Sequence, residues 1–374
     1  MYNDFKLLVD GENAFNEILS CIDNTKHVIK INMFIWRDDE IGNEIGKHLY
    51  DAANRGVKIF ISIDRFGYVL EKAEEYKKSF FHRNPSLHEK FKIKVLEQGY
   101  PSLSIKDRNV LDKNTLADKL INHDNVLVSR AIVKKDHSKY YMFDDNTLIF
   151  GGINIEDKER THDLIGRVYH DYMVKITGKE YVLAFSEKYN TFKNISDDYL
   201  FGINYKNKKS KLYEMRKLYL DLINNSEKEL YIIMPYFSPL NDFMKAIVNA
   251  YNRGVDVNIM IPKRSNIQND TNYFTVRTLM KKTNNGIKVF LSPKMTHAKL
   301  LFSEKKVTFG STNVTSTSFK TLQELNLFVN NVDCKFNNDV KEAVLENISI
   351  SERVENYNDL KYRKYIKFLE SFVS

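Results

Sequence analysis

Residues 137–144 read HSKYYMFD, and residues 297–304 read HAKLLFSE. Each stretch has a histidine, one spacer, a lysine and, after four intervening residues, an acid. One such pattern in a strand usually marks only the protein surface. Two copies suggest a duplicated chain, and a duplication decides the fold.

The segments around the two stretches also correspond. VIKINMFI at 28–35 leads through a helical stretch to Asn54-Arg55-Gly56-Val57 and then KIFISID. LYIIMPYF at 230–237 leads in the same way to Asn252-Arg253-Gly254-Val255 and then DVNIMIP. Each copy therefore predicts a strand, a helix with a glycine cap and a second strand, which is a βαβ unit.

Later features follow the same order in both copies. We predict a third strand at residues 93–96 (IKVL) and at 287–290 (IKVF), ahead of each histidine stretch. The first copy has an insertion of roughly 35 residues between about 97 and 131, which indicates a loop with a short helix.

The predicted fold class is α/β, with two pseudo-symmetric repeats. Each repeat is a mixed β-sheet flanked by helices, and the two pack around one shared site. We place the repeats at residues 1–203 and 204–374, with NYKNKKSKLYEMRK at 204–217 as the bridge between them.

Composition limits the class of protein. The 374 residues are 43% hydrophobic and 28% charged, which suits two globular units. A net charge of +8 favours an anionic partner, either a membrane surface or a nucleic acid. Cys21 and Cys334 are too few for a disulfide framework or a thiolate metal site. Without a secretory signal or a long apolar run, we expect a cytoplasmic protein, with peripheral membrane attachment as an option.

The paired motif predicts a phosphate site. Side chains at i and i+2 of a strand project together, so His137 pairs with Lys139 and His297 with Lys299. An imidazole beside an ammonium group binds phosphate. We therefore expect both pairs to line one pocket between the repeats.

Small residues follow each histidine strand, in FGGIN at 150–154 and FGSTN at 309–313. Gly152 and Ser311 let backbone and substrate approach closely. Asn154 and Asn313 can each donate an amide hydrogen bond to a phosphoryl oxygen.

This residue set suits a two-step displacement at phosphorus. One histidine attacks as the nucleophile, and the other acts as acid and then as base. Lysines and amides stabilise the developing charge, so we expect neither a metal nor a cofactor. A carboxylate should orient each histidine, and we assign Asp171 to His137 and Glu324 to His297, each within its own repeat.

These features resemble the phospholipase D superfamily, whose signature is the duplicated H-x-K-x-x-x-x-D motif. The closer resemblance is to bacterial cardiolipin synthases. Four segments carry it: FIWRDDEIGNEIGKHLYDAANRGVKI at 34–59, GGINIEDK at 151–158, HDYMVKITG at 170–178 and MPYFSPLNDFMKAIVNAYNRGVDVNIMIPKRS at 234–265.

The resemblance implies metal-free transfer of a phosphatidyl group between two glycerol-bearing lipids. It implies that His137 is the nucleophile and His297 the acid, and that the motif acids Asp144 and Glu304 brace a loop. Glu304 departs from the usual Asp, and its turn is one residue shorter. Tyr169-His170-Asp171 stands where the synthases commonly have Trp-Arg-Asp. The residues implied to hold phosphate are Lys139, Lys299, Asn154 and Asn313.

Two alternatives remain open from the sequence, and so does the oligomeric state. One is a metal-independent phosphodiesterase, either a hydrolase of phospholipids or a nuclease; the other is a non-catalytic relative. A lipid enzyme should have an apolar channel to the histidines, whereas a nuclease should have a groove of Lys and Arg. The expected channel residues, beside the insertion, are Met33, Phe34, Trp36, Tyr236 and Phe237.

Apolar residues recur at helical spacing near the C-terminus, with lysines and an arginine between them. They predict a terminal helix, either packed on the core or lying on anionic lipid. The apolar positions are Tyr362, Tyr365, Ile366, Leu369, Phe372 and Val373.

Overall fold

Two mixed β-sheets form the centre of the protein. The structure, a computed structural model, describes residues 4–73, 79–97, 113–129, 135–163, 165–194, 196, 198–330 and 334–370. Helices cover the outer face of each sheet, and apolar residues of both sheets pack together between them. This architecture confirms the predicted α/β repeats.

The first repeat contains eight strands and six helices within the described ranges. Its strands are β1 (Phe5–Val9), β2 (Val28–Met33), β3 (Lys58–Ile63), β4 (Val126–Ser129), β5 (Lys139–Phe143), β6 (Thr147–Gly151), β7 (Tyr169–His170) and β8 (Tyr172–Thr177). Its helices are α1 (Asp10–Asn24), α2 (Glu40–Asn54), α3 (Arg65–Ala73), α4 (Leu87–Glu97), α5 (Thr115–Ile121) and α6 (Lys179–Thr191).

The second repeat contains twelve strands and six helices in the part of the chain that is described. Its strands are β9 (Tyr199–Lys206), β10 (Lys211–Tyr213), β11 (Glu229–Ile233), β12 (Phe237–Ser238), β13 (Asp256–Pro262), β14 (Lys288–Ser292), β15 (Met295–Thr296), β16 (Leu300–Ser303), β17 (Lys306–Gly310), β18 (Val314–Thr315), β19 (Glu324–Asn330) and β20 (Glu352–Val354). Its helices are α7 (Met215–Asn225), α8 (Asn241–Asn252), α9 (Asn269–Lys282), α10 (Ser316–Lys320), α11 (Lys335–Ser349) and α12 (Lys364–Glu370).

Strand order shows the duplication directly. The first sheet runs β1-β8-β6-β5-β2-β3-β4, and the second contains the corresponding series β9-β19-β17-β16-β11-β13-β14. Strands β10 and β20 extend its two edges. In each series the last three strands are parallel and the others pair antiparallel.

The helix ends follow from local sequence. Helix α2 begins after Asp39, whose side chain accepts a hydrogen bond from the Gly42 amide at 3.0 Å. Helices α2 and α8 are both followed by Arg-Gly, where Gly56 and Gly254 have φ of 93° and 91°. Glycine adopts this left-handed conformation without a Cβ clash, which turns the chain into β3 and β13. The predicted glycine caps are therefore confirmed.

Three apolar cores stabilise this arrangement. One lies between the first sheet and α1 and α2, and a second lies between the other sheet and α7, α8 and α9. The third lies between the two sheets, where Phe150 and Val174 of one repeat join Phe309 and Leu327 of the other. The halves are thus joined by a continuous buried interface, which fixes the two histidine strands relative to each other.

Two details of the predicted organisation were wrong. Residues 93–96 lie in helix α4, and the third strand of the first sheet is β4, which pairs parallel with β3. The inserted chain therefore precedes the third strand instead of following it; α5 is its short helix, and residues 98–112 lie outside the described ranges.

The predicted boundary between residues 203 and 204 falls inside strand β9. This strand pairs with β19 and occupies the place that β1 has in the first sheet. The predicted bridge at 204–217 therefore forms the end of β9, the hairpin to β10 and the start of α7. A second repeat that begins at Tyr199 keeps its sheet whole.

Candidate active site

The two histidines are held by backbone contacts across the repeats. His137 comes just before β5, and its amide donates to the Gln323 carbonyl at 2.9 Å. His297 comes just before β16, and its amide donates to the His170 carbonyl at 2.7 Å. Both histidine segments are therefore anchored to the opposite repeat.

The side-chain contacts of the histidines cross in the same way. His137 Nδ1 lies 3.1 Å from Glu324 Oε2, and His297 Nδ1 lies 3.0 Å from Asp171 Oδ2. The expected pairing within each repeat was wrong. Each carboxylate directly follows the residue whose carbonyl accepts from the histidine amide, so one dipeptide holds both the backbone and the ring.

This contact fixes the tautomer of each imidazole. A carboxylate can only accept, so Nδ1–H donates and the lone pair stays on Nε2. Burial lowers the pKa of both histidines, and that of His297 lies well below its ordinary value. Lys139 and Lys299 lower both pKa values further, so each imidazole lies within electrostatic reach of both lysines. The structure thus brings the two predicted pairs together.

The two lysines are fully buried among these rings. Lys139 Nζ donates to the His137 carbonyl at 2.6 Å, and Lys299 Nζ donates to the His297 carbonyl. Burial lowers the pKa of both ammonium groups, that of Lys139 to about 7. Two buried cations side by side disfavour their own charge, so an anion bound between them would raise both pKa values.

The small residues Gly152 and Ser311 contact the two carboxylates. A Cβ on Gly152 would lie 2.2 Å from Asp171 Oδ2, so only glycine fits without displacing that carboxylate. Ser311 Oγ instead donates to Glu324 Oε2 at 2.5 Å. Gly152 thus leaves space for Asp171, whereas Ser311 at the corresponding position binds Glu324.

The two asparagines are buried next to the histidine strands, with 4% and 6% of their surfaces exposed. Asn154 Nδ2 donates to Glu156 Oε1 at 3.3 Å. The side-chain oxygens of Asn154 and Asn313 have no hydrogen-bond partner among the described residues. Buried polar atoms are normally satisfied, so these amides are candidates for contact with a ligand.

The motif acids lie at the far end of the histidine strands. Asp144 accepts from the amides of Lys26, His27 and Val28 at 2.7–2.9 Å. Glu304 accepts from the amides of residues 227–229 at 2.8–3.3 Å. The longer Glu304 side chain makes the same contact from the shorter turn, which gives a physical reason for the departure from Asp.

A buried ionic group near His297 was missed from the sequence. Glu159 Oε1 lies 3.6 Å from His297 Nδ1, and burial raises the pKa of Glu159 well above its ordinary value. Glu156 pairs with Arg37 at 2.6 Å and with Lys158 at 3.1 Å. The charges of EDKE at 156–159 were a visible signal, because TSTS occupies the corresponding place after Asn313.

Aromatic rings lie against both histidines. The Phe34 ring centre is 4.7 Å from that of His137, and the Tyr236 ring centre is 6.1 Å from that of His297. Met33, Trp36 and Phe237 are instead buried in the cores of their repeats. Two of the five expected channel residues thus contact the histidines, and most of the insertion expected beside them lies outside the described residues.

Comparisons with known proteins assign the chain to a family. A family model described as "Cardiolipin synthase, PLD-like domain" matches residues 18–192 and 219–345. Cardiolipin synthase of Staphylococcus aureus is 24% identical over 390 residues, covering 98% of this chain and 72% of that protein. Cardiolipin synthase of Listeria monocytogenes is 26% identical over 398 residues, covering 99% of this chain and 74% of that protein.

A solved structure shows the same fold. The crystal structure of phosphatidylserine synthase from Haemophilus influenzae matches with a TM-score of 0.71 at 13% identity, covering 99% of this chain and 92% of that chain. Fold and relatives together define an enzyme of the phospholipase D superfamily, in the phosphatidyltransferase or phosphodiesterase class. Within it, the chain belongs to the cardiolipin synthase family of PLD-like domains.

The close contact at Gly152 predicts a strong effect of one methyl group. Gly152→Ala should push Asp171 away from His297 and lower kcat about 10²-fold, because small displacements in an active site have effects of this size. Turnover of bis(4-nitrophenyl) phosphate measures it. Ser311→Ala is the matched variant, since a Cβ already fits there, and it should lose less. Equal activity of Gly152→Ala and the parent protein would contradict this account.

Proposed function

We propose that the protein transfers a phosphatidyl group between two glycerol-bearing anionic phospholipids and so makes cardiolipin or a similar lipid. The observation that carries this proposal is the crossed pair of histidines, each with a buried lysine, in a chain whose full-length relatives are cardiolipin synthases. The substrate is taken from those relatives, and the chemistry from the site.

The proposed reaction has two displacements at one phosphorus. His137 Nε2 attacks, the P–N bond forms, and the bond to the leaving glycerol oxygen breaks as His297 protonates that oxygen. His297 then takes the proton of the incoming hydroxyl, whose oxygen displaces His137 from phosphorus. The ammonium groups of Lys139 and Lys299 stabilise the charge on the other phosphoryl oxygens.

The site charges suit this sequence of steps. Burial among lysines keeps both imidazoles neutral in the free enzyme, which the nucleophile requires. A bound phosphodiester adds negative charge and raises the pKa of the second imidazole, so that it can act as an acid.

Membrane association belongs to the same proposal, because the substrate is a bilayer lipid. No helix within the described ranges is long and apolar enough to cross a bilayer. We propose contact with an anionic membrane surface, in line with the net charge of +8.

The decisive experiment offers the protein two substrates without added metal. Incubation with phosphatidylglycerol vesicles in EDTA should give cardiolipin and glycerol, detected by mass spectrometry, and His137→Ala should give neither. Phosphatidic acid as the main product would make the protein a hydrolase. Cleavage of single-stranded DNA with unreacted lipid would make it a nuclease, and dependence on a divalent cation would contradict the metal-free chemistry.

A further inference from the structure

Helix α4 has its apolar residues on the outside. Leu87, Phe91 and Val95 follow at intervals of four residues and are 85%, 67% and 52% exposed. At this spacing they form one stripe along the helix. Lys90, Lys92 and Lys94 are also exposed, so the stripe is flanked by positive charge.

The opposite face of α4 is fixed to the protein by a buried acid. Glu89 is 4% exposed and accepts from Arg65 at 2.8 Å and from Arg83 at 2.8 and 3.0 Å. These contacts lower the pKa of Glu89. The helix is therefore held with its polar anchor inward and its apolar stripe outward, the reverse of an ordinary surface helix.

Helix α12 repeats this arrangement in the other half. Tyr365 and Phe368 are 71% and 59% exposed, and Lys361 and Lys364 are exposed beside them. Glu370 anchors the helix, because its carboxylate accepts from the Thr271 amide at 2.7 Å. The predicted terminal helix is thus present at Lys364–Glu370, while Phe372 and Val373 lie outside the described residues.

Both helices pack on elements that lead to the active site. Helix α4 contacts Arg65, the first residue of α3, and α12 contacts the first turn of α9. The strands β3 and β13, which occupy corresponding places in the two sheets, lead into α3 and α9. The two helices therefore pack on corresponding elements of the two repeats.

Short contacts join the segments that precede α3 and α9 to the histidines. Asp64, just before α3, accepts from the Asp136 amide at 2.8 Å, next to His137. On the other side, the Tyr236 hydroxyl donates to Asn266 at 2.8 Å, just before α9, while its ring lies against His297.

We infer that the exposed sides of α4 and α12 form one docking face for a bilayer of anionic phospholipid. This inference rests on the proposed function, since it explains how the site reaches a lipid held in a membrane. Aliphatic and aromatic side chains enter the interface between headgroups and acyl chains, and the lysines meet anionic headgroups. A nucleic acid would match the lysines but not Leu87 and Val95, so the pattern favours a membrane.

The test measures binding separately from catalysis. The parent is His137→Ala, so lipid is not consumed, and binding to vesicles of phosphatidylglycerol and phosphatidylcholine is followed by flotation. Combined Leu87→Ser, Phe91→Ser and Val95→Ser should weaken binding about tenfold or more. Combined Lys90→Glu, Lys92→Glu and Lys94→Glu should remove the preference for anionic vesicles over pure phosphatidylcholine. The corresponding variants of α12 are Tyr365→Ser with Phe368→Ser, and Lys361→Glu with Lys364→Glu.

The chain offers matched controls away from the site. The apolar control changes three exposed residues, Leu183, Leu345 and Ile350, to Ser. The charge control changes three exposed lysines near the Asp144 and Glu304 turns to Glu: Lys26, Lys179 and Lys228. Both controls should bind vesicles like the parent. Thermal unfolding verifies each fold, and Phe91→Ser alone serves if a triple variant does not fold.

Catalysis is then compared in proteins that retain His137. Docking-face variants should lose turnover of vesicle lipid but keep turnover of a short-chain phosphatidylglycerol dissolved below its micelle concentration. Unchanged vesicle binding in these variants would overturn the inference. The inference would also be overturned if the protein bound single-stranded DNA instead of vesicles and the Lys→Glu changes removed that binding. If the protein that retains His137 binds vesicles through this face but turns over no lipid, the proposed function is refuted. The docking face is then still supported.

Discussion

Alanine at either site histidine is expected to lower phosphatidyl transfer by about 10⁴-fold or more, because the proposed mechanism needs one histidine as the nucleophile and the other as the proton donor. The fold should persist, since each ring is one side chain at a large buried interface. Initial rates with labelled phosphatidylglycerol measure the loss. His48→Ala, on the outer helix α2, is the matched control and should remain active.

The same two variants test which histidine forms the proposed bond to phosphorus. A phosphodiester with a 4-nitrophenol leaving group needs little help from an acid. With this substrate, His297→Ala should still become phosphorylated, and His137→Ala should not; mass spectrometry of acid-sensitive phosphopeptides locates the group. Labelling of His297 in the His137→Ala protein would reverse the two roles.

The second large effect is expected from the crossed carboxylates. Glu324→Gln and Asp171→Asn should each lower kcat by about 10²–10⁴-fold, because an amide no longer enforces the tautomer with its lone pair on Nε2. The change in KM should be small, since neither acid is expected to touch the substrate. Rate measurements at saturating lipid separate the two constants.

Because each carboxylate contacts the histidine of the other repeat, each substitution should affect one particular imidazole. Nitrogen chemical shifts of the imidazoles should change at His137 in Glu324→Gln and at His297 in Asp171→Asn. The corresponding shifts of the other histidine should change much less. Equal changes at both rings, or changes only within the same repeat, would contradict the contacts at 3.0 and 3.1 Å.

Much of the fold could be predicted from the sequence because the same pattern occurs twice in the chain. The shared Asn-Arg-Gly-Val stretches and the spacing of the histidine motifs were enough to predict two equivalent repeats and one shared site. Residues 93–96 were misassigned because a short apolar run fits a buried strand or a helix equally well. In the structure these residues belong to α4, whose Glu89 accepts hydrogen bonds from Arg65 and Arg83.

The sequence was enough to propose which residues form the site, but not which carboxylate contacts which histidine. His137, Lys139, His297 and Lys299 could be grouped because i and i+2 share a strand face. Which carboxylate meets which histidine depends on how the sheets pack, and sequence distance carries no information on that. Glu159 was overlooked for a related reason, since only the fold brings it within 3.6 Å of His297.

The crossed contacts also bear on how a duplicated enzyme can diverge. In a symmetric pair of identical chains, both histidines would have the same acid as their partner. A substitution of that acid would therefore alter both contacts at once. Fusion into a single polypeptide removes that constraint, and here the two partners are Asp171 and Glu324, accommodated by Gly152 and Ser311. Under the proposed mechanism, one half can thus be adapted for attack and the other for proton transfer.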